Sequence, residues 1–210
     1  MTKKRADGRH ARAIPPAKSD TAAAMISKYT SRHAMAEGGI MSILIGLTAV
    51  LIAWRWGDWR NWKQYYPTYL FMTTVSFITD SLTHRHTLWY FCPTLFLPNN
   101  TVTAMFYAFT VYPATVILFL SRYPAGQYWR QGLYIAQWVA VYSALEAMAK
   151  TLGAMGHQNG WTIWWSALVD ITMFTALRIH FFKPLLAWLV AILFAALILT
   201  VFNFSLGDLK

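Results

Sequence analysis

LLAWLVAILFAALILTVF, residues 185–202, decides the fold class: across eighteen consecutive residues there is no charge and almost no polarity. As an α-helix this stretch is about 27 Å long at 1.5 Å per residue, and the hydrocarbon core of a bilayer, about 30 Å thick, takes roughly 20 apolar residues. A helix on the surface of a soluble domain keeps one polar face. This one has none, so it reads as a transmembrane helix.

The rest of the chain agrees. Of its 210 residues 57% are hydrophobic, 17% aromatic and only 12% charged, too apolar and too poor in charge for a soluble globular domain. Further segments of spanning length run over residues 39–54, 65–83, 101–121, 131–153 and 161–177. Together these predict an all-α integral membrane helical bundle with about six transmembrane helices, a single domain over residues 39–205. Between the second and third spans, THRHTLWYFCPTLFLPNN (83–100) is apolar from Leu88 to Leu97 but too short to cross, and Pro93 and Pro98 interrupt it. It reads as an interfacial or re-entrant segment. Within the third span Pro113 has no N–H to offer the carbonyl of Phe109, which predicts a kink there.

The net charge is +10. Residues 1–38 hold Lys3, Lys4, Arg5, Arg9 and Arg12, then Pro15-Pro16 and a Ser/Thr/Ala stretch with little to build a core. They read as a basic, disordered tail, with Met25, Met35 and Met41 as alternative starts; residues 206–210 form a short C-terminal tail. Basic residues in a tail and beside spans point to a bilayer with anionic headgroups as partner, and not to nucleic acid. One group of connecting loops carries Arg55, Arg60, Lys63, Arg122, Arg130, Arg178 and Lys183, whereas the other carries Arg85, Lys150 and, at the tail end, Lys210. By the positive-inside rule the first group is cytoplasmic and both termini lie outside; the basic tail pulls the other way. Trp54, Trp56, Trp59 and Trp62, with Tyr65 and Tyr66, form an interfacial belt at the basic loops. The lone Cys92 makes no intramolecular disulfide.

Alternation of six spans brings the unusual polar groups to one side: Asp80, His84 and His86, then Asn99 and Asn100, Glu146 and Lys150, and His157 to Asn159. Asp170 lies deeper, in WSALVDITMFTALRIH (165–180). Thr73, Ser76 and Asp80 share a helical stripe, as do Tyr142, Glu146 and Lys150, and Thr103, Tyr107 and Thr110. A charge at the bilayer centre costs about 2.5–3.5 kcal/mol on insertion scales, so it pairs or lines a wet cavity. Arg178 does not serve Asp170, since eight residues of helix separate them by about 12 Å, so Asp170 either looks across to another helix or stays protonated in the apolar medium. The candidate ligand or proton pathway is Asp80, Glu146, Asp170, Thr73, Ser76, Tyr107 and Tyr142. The simpler reading of the same acids is interhelical hydrogen bonding worth about 0.6 kcal/mol each. His84, His86 and His157 are candidate metal ligands, because imidazole suits zinc or copper, although one His-x-His in a loop is not specific. No cofactor is indicated. With no HExxH, no GxSxG and no Cys–His pair at a recognisable spacing, nothing points to catalysis.

KQYYPTYLF (63–71), LPNNT (97–101), VYPATVILFLSRYP (111–124), HQNGWTIWWS (157–166) and RIHFFKPLLAWL (178–189) recur in this order in a known family. Over roughly residues 40–200 the chain resembles a family of small, uncharacterised multi-pass membrane proteins of spore-forming Gram-positive bacteria. The resemblance implies a bacterial cytoplasmic membrane and a helical bundle, and supplies no activity and no catalytic residue. The expected role is transport or sensing of a small solute or proton through the polar cluster, with Asp80, Glu146 and Asp170 converging on a shared wet cavity. The alternative is a non-catalytic accessory subunit or membrane scaffold, binding a partner membrane protein or a second copy. That alternative expects separated acids with local partners and a lipid-exposed groove lined by small residues such as Gly46.

Overall fold

The computed structural model describes residues 40–94 and 96–204; the tails read at 1–38 and 206–210 lie outside the described residues. The described chain is mostly helical: α1 (Ile40–Trp56), α2 (Trp62–Leu82), α3 (Asn100–Phe109), α4 (Val111–Ser121), α5 (Tyr128–Thr151), α6 (Ile163–Phe182) and α7 (Pro184–Val201), with a 3-10 turn at Trp59–Asn61. Two short strands, β1 (Trp89–Phe91) and β2 (Met155–His157), complete it. Helices α3 and α4 form one 22-residue rod, Asn100–Ser121, interrupted at Thr110. The break falls where Pro113 leaves the carbonyl of Phe109 without its intrahelical donor.

The rod Asn100–Ser121 and helix α7 are each long and apolar enough to cross a membrane. Helices α1 and α2 with the turn between them would make a third such unit, broken by 94°. Helix α7 is apolar all round, yet most of it lies on the surface, with Leu185, Leu189, Ile192, Leu193 and Leu197 exposed. Its start is set by Pro184 in the first turn, where a missing N–H costs nothing. The Asn99 side chain caps α3 by accepting from Val102 N at 2.9 Å.

Helix α5 ends in a Schellman motif at Gly153, whose φ is 69°. Ala154 N donates to Ala149 O at 2.7 Å and Gly153 N to Lys150 O at 3.1 Å. That reversal sends the chain into β2, antiparallel to β1 with Trp89 opposite His157 and Phe91 opposite Met155. Cys92 N to Ala154 O and Gln158 N to Leu88 O, both 2.8 Å, extend the ladder. The apolar segment at 88–98 thus contributes a strand, a pairing with 155–157 that the sequence reading did not contain. At the centre of the ribbon a Cβ on Gly156 would stand 2.5 Å from Tyr90 Cζ. Gly156→Ala is expected to cost about 1–2 kcal/mol by overpacking, read as a lower unfolding midpoint in detergent. Gly132→Ala, where a Cβ meets nothing within 4 Å, is expected to gain about 0.5–1 kcal/mol from helix propensity.

The core joins α2, α4, α6 and α7 through Phe71, Met72, Val116, Phe119, Phe174, Leu177 and Ala187, with Tyr134, Trp138 and Tyr142 of α5 packed against it. Helix α1 lays its small residues on α3 and α4: Ala53 packs with Ala114 and Leu118. Gly46 sits under the Phe106 ring and is buried, so it lines no lipid-exposed groove. At one end of the bundle Arg122 Nη2 donates to Trp56 O at 3.1 Å. The Arg178 guanidinium there lies 4.3 Å from the ring centres of Tyr123 and Phe182, and Tyr65 stacks on Phe181. The basic connections α1–α2, α4–α5 and α6–α7 therefore share this end, and the β-ribbon covers the other.

Candidate functional site

A cavity of about 300 Å³ opens between α2, α4, α5, α6 and α7. Its wall is mostly apolar, with Phe71, Met72, Leu177 and Phe194 along the helices and Leu88, Trp89 and Trp161 at the ribbon end. Ser76, Thr79, Tyr112, Tyr142, Asp170 and Thr172 are among the polar residues of the wall. The two phenols are already committed, Tyr112 to Ser76 at 2.9 Å and Tyr142 to Thr115 at 2.6 Å.

Asp170 is the exception. It follows from the helical period: Asp170, Phe174 and Leu177 fall on one face of α6, and that face is buried. Asp170 is only 9% exposed, lines the cavity, and among the described residues makes no hydrogen bond or ion pair. Arg178 is spent on Tyr123 and Phe182. An ionised carboxyl in such a place is costly without a donor or counter-charge, and a proton or a bound cation would each remove that cost.

Behind it lies a hydrogen-bonded chain. Glu146 Oε1 accepts from His157 Nε2 at 2.7 Å and from Ser166 Oγ at 2.8 Å. Ser166 Oγ in turn accepts from Trp161 Nε1 at 2.9 Å. Lys150 Nζ meets His157 Nδ1 at 3.0 Å; an ammonium can only donate, so Nε2 carries the imidazole proton that is given to Glu146. The expected pairing of Glu146 with Lys150, one turn apart, is thus made through His157. Ser166, which donates to Glu146, precedes Asp170 by one turn of α6.

Of the residues named from sequence, Asp170, Ser76 and Tyr142 lie in the cavity wall and Glu146 stands behind it. Asp80 is partly buried and interacts with Tyr112, but is not in the wall; the three acids do not share one cavity surface. Thr73 Oγ1 is buried without a partner. Tyr107 is hydrogen-bonded to Ser42 and packs edge-on against Phe91 at 5.3 Å. The histidines separate: His86 leans on Phe204 at 4.7 Å, while His157 belongs to the chain of Glu146. Among the described residues no group of three His, Cys, Asp or Glu side chains is gathered to hold a metal ion. Sequence reasoning missed Ser166, Trp161 and Tyr112, and missed the apolar wall because its residues are core-like in composition.

Two groups outside the bundle interior have shifted acidities. The Asn61 side-chain amide, with help from Tyr65 and Arg60, holds the Asp58 carboxyl below its usual range, at distances of 3.0 Å to Asn61 and 3.0 Å to Tyr65. Burial pushes the Cys92 thiol up.

Fold and site together define a helical protein with two helices apolar enough to cross a membrane and an apolar cavity walled in part by a buried acid. Comparison of the chain with protein-family models, curated proteins and solved structures gives no match.

Proposed function

We propose that the chain is a multi-pass protein of the bacterial cytoplasmic membrane that takes a small solute or proton into its bundle for transport or sensing. The observation that carries this reading is Asp170, a carboxyl buried against an apolar cavity with no hydrogen-bond or ion-pair partner among the described residues. In this reading six rods cross the bilayer: α1, α2, α3 with α4, α5, α6 and α7. The outward apolar faces of α7 support it, because soluble proteins rarely leave so continuous an apolar surface in water. The basic end faces the cytoplasm and its anionic headgroups. A cysteine at Ala125, in a Cys92→Ser background, is then expected to react with an impermeant maleimide only from the inner face; labelling of intact cells would reverse the orientation.

Native mass spectrometry of protein carried from membranes into lipid nanodiscs tests the solute reading. The wild type is expected to retain a non-lipid small molecule, and Ala195→Phe, which fills the wall opposite α2, is expected to lose it. Equal occupancy in the two proteins would sink the proposal.

A second reading has its own observation. Gly132, Ala136, Ala140 and Ala144 recur every fourth residue on the outer side of α5, all exposed, a pattern that lets helices approach closely in lipid. A scaffold or accessory subunit would bind a partner membrane protein or a second copy there. Ala140→Leu is then expected to dissociate that complex on a native gel and to leave cavity occupancy unchanged.

A further inference from the structure

We infer that the cavity at Asp170 selects hydrophobic amines, small molecules with an apolar body and one protonated nitrogen. This deepens the solute reading above and rests on it. A solute meets a wall of aromatic and aliphatic side chains around a volume of about 300 Å³, at the small end of ligand sites. One carboxylic acid, Asp170, interrupts that wall, 9% exposed and without a hydrogen-bond or ion-pair partner among the described residues. Among the described residues no Lys, Arg or His lines the cavity.

The nearby cations are occupied elsewhere. Lys150 binds His157 at 3.0 Å, Arg178 covers Tyr123 and Phe182, and His180 is held by Thr68 at 3.0 Å while stacking on Phe71. Glu146 of α5 is itself engaged by His157 and Ser166, which leaves Asp170 as the acid that meets a solute. Once ionised, that carboxyl repels an anionic solute, and a neutral one gains apolar contact and at most a neutral hydrogen bond. A protonated amine supplies both the counter-charge and a charge-assisted hydrogen bond. Helix α7 lines the cavity with one face and turns Leu189, Ile192 and Leu193 outward. Only one helix separates the site from its surroundings, which suits a solute carried by the lipid.

Full-length protein in phosphatidylcholine nanodiscs is titrated with phenylbutylamine, phenylbutanol and phenylbutyrate. Binding is read by calorimetry and by tryptophan fluorescence against empty nanodiscs. The amine is expected to bind at least tenfold more tightly than the alcohol, and the acid most weakly. In Asp170→Asn the amine should fall to the affinity of the alcohol, whose unchanged binding reports an intact cavity; Asp170→Glu should keep the preference. An amine no tighter than the alcohol in the wild type, or a preference that survives in Asp170→Asn, overturns the inference. If the alcohol binds without any amine preference, the amine selectivity falls and the solute cavity stands. If none of the three binds, both fall.

Discussion

Phe174→Ala is expected to destabilise the bundle by about 3 kcal/mol, the lower part of the range for Phe→Ala in a packed interior. Phe174 is fully buried, at 0% exposure. Its ring centre lies 5.0 Å from Phe119, 5.6 Å from Trp138 and 5.2 Å from Tyr142. One side chain on α6 thereby ties together α4 and α5. In a bilayer the apolar transfer contribution between helix faces and lipid is small, because acyl chains are as apolar as the side chains. What is lost is van der Waals contact and a filled volume, which is why the lower part of the range applies. Reversible unfolding in mixed micelles measures it. Ile192→Ala on the exposed face of α7 is the control, expected within about 0.5 kcal/mol of wild type. Equal losses at the two positions would show that the exposed face is packed against something other than lipid.

Glu146→Ala is expected to cost nearly as much, about 2–3 kcal/mol, and to free the β-ribbon. The carboxylate is a shared acceptor for His157 and Ser166 in a nearly dry site, the side chains being 6% exposed for His157 and 14% for Glu146. Removing it strands an N–H and an O–H, each costing about 1–3 kcal/mol when left unmade. The loss is held below the sum because Lys150 is exposed and water can reach the outer end of the chain. Glu146→Gln keeps the acceptor oxygen and loses the charge, so about 1 kcal/mol is expected. Hydrogen exchange locates the effect: the amides of Cys92 and Gln158, which pair across the ribbon, should lose protection in Glu146→Ala and keep most of it in Glu146→Gln. Unchanged protection in Glu146→Ala would mean that the ribbon is held by its hydrogen bonds and apolar contacts alone.

Much of this architecture was legible before any coordinates. A helix that must satisfy its backbone in apolar surroundings leaves a long uncharged run, and α7 was readable for that reason. Pro113 marked the break at Thr110, because its cause is a single missing donor. The stripe Tyr142, Glu146 and Lys150 was readable from helical spacing, but its third partner was not. His157 reaches Glu146 only because the Schellman turn at Gly153 folds the chain back, and nothing in local periodicity measures that reversal. The strands were invisible for a related reason: three residues each, with partners 64 to 68 positions apart, they carry no alternation long enough to detect. The cavity wall was hidden most completely, since Phe71, Met72, Leu177 and Phe194 look like any buried residues until their neighbours are known. Asp170 could be singled out by its chemistry, whereas the absence of a partner for it is a fact of packing.

The central claim is that the Asp170 carboxyl faces a solute-accessible cavity inside the bundle. Solid-state NMR of protein with isotope-labelled aspartate carboxyl carbons, in nanodiscs, tests this most directly. The Asp170 signal, assigned by its disappearance in Asp170→Asn, is expected to move saturably as phenylbutylamine is added, while those of Asp58 and Asp80 stay in place. A stationary Asp170 signal at saturating solute, or movement confined to the exposed Asp58, would contradict the account.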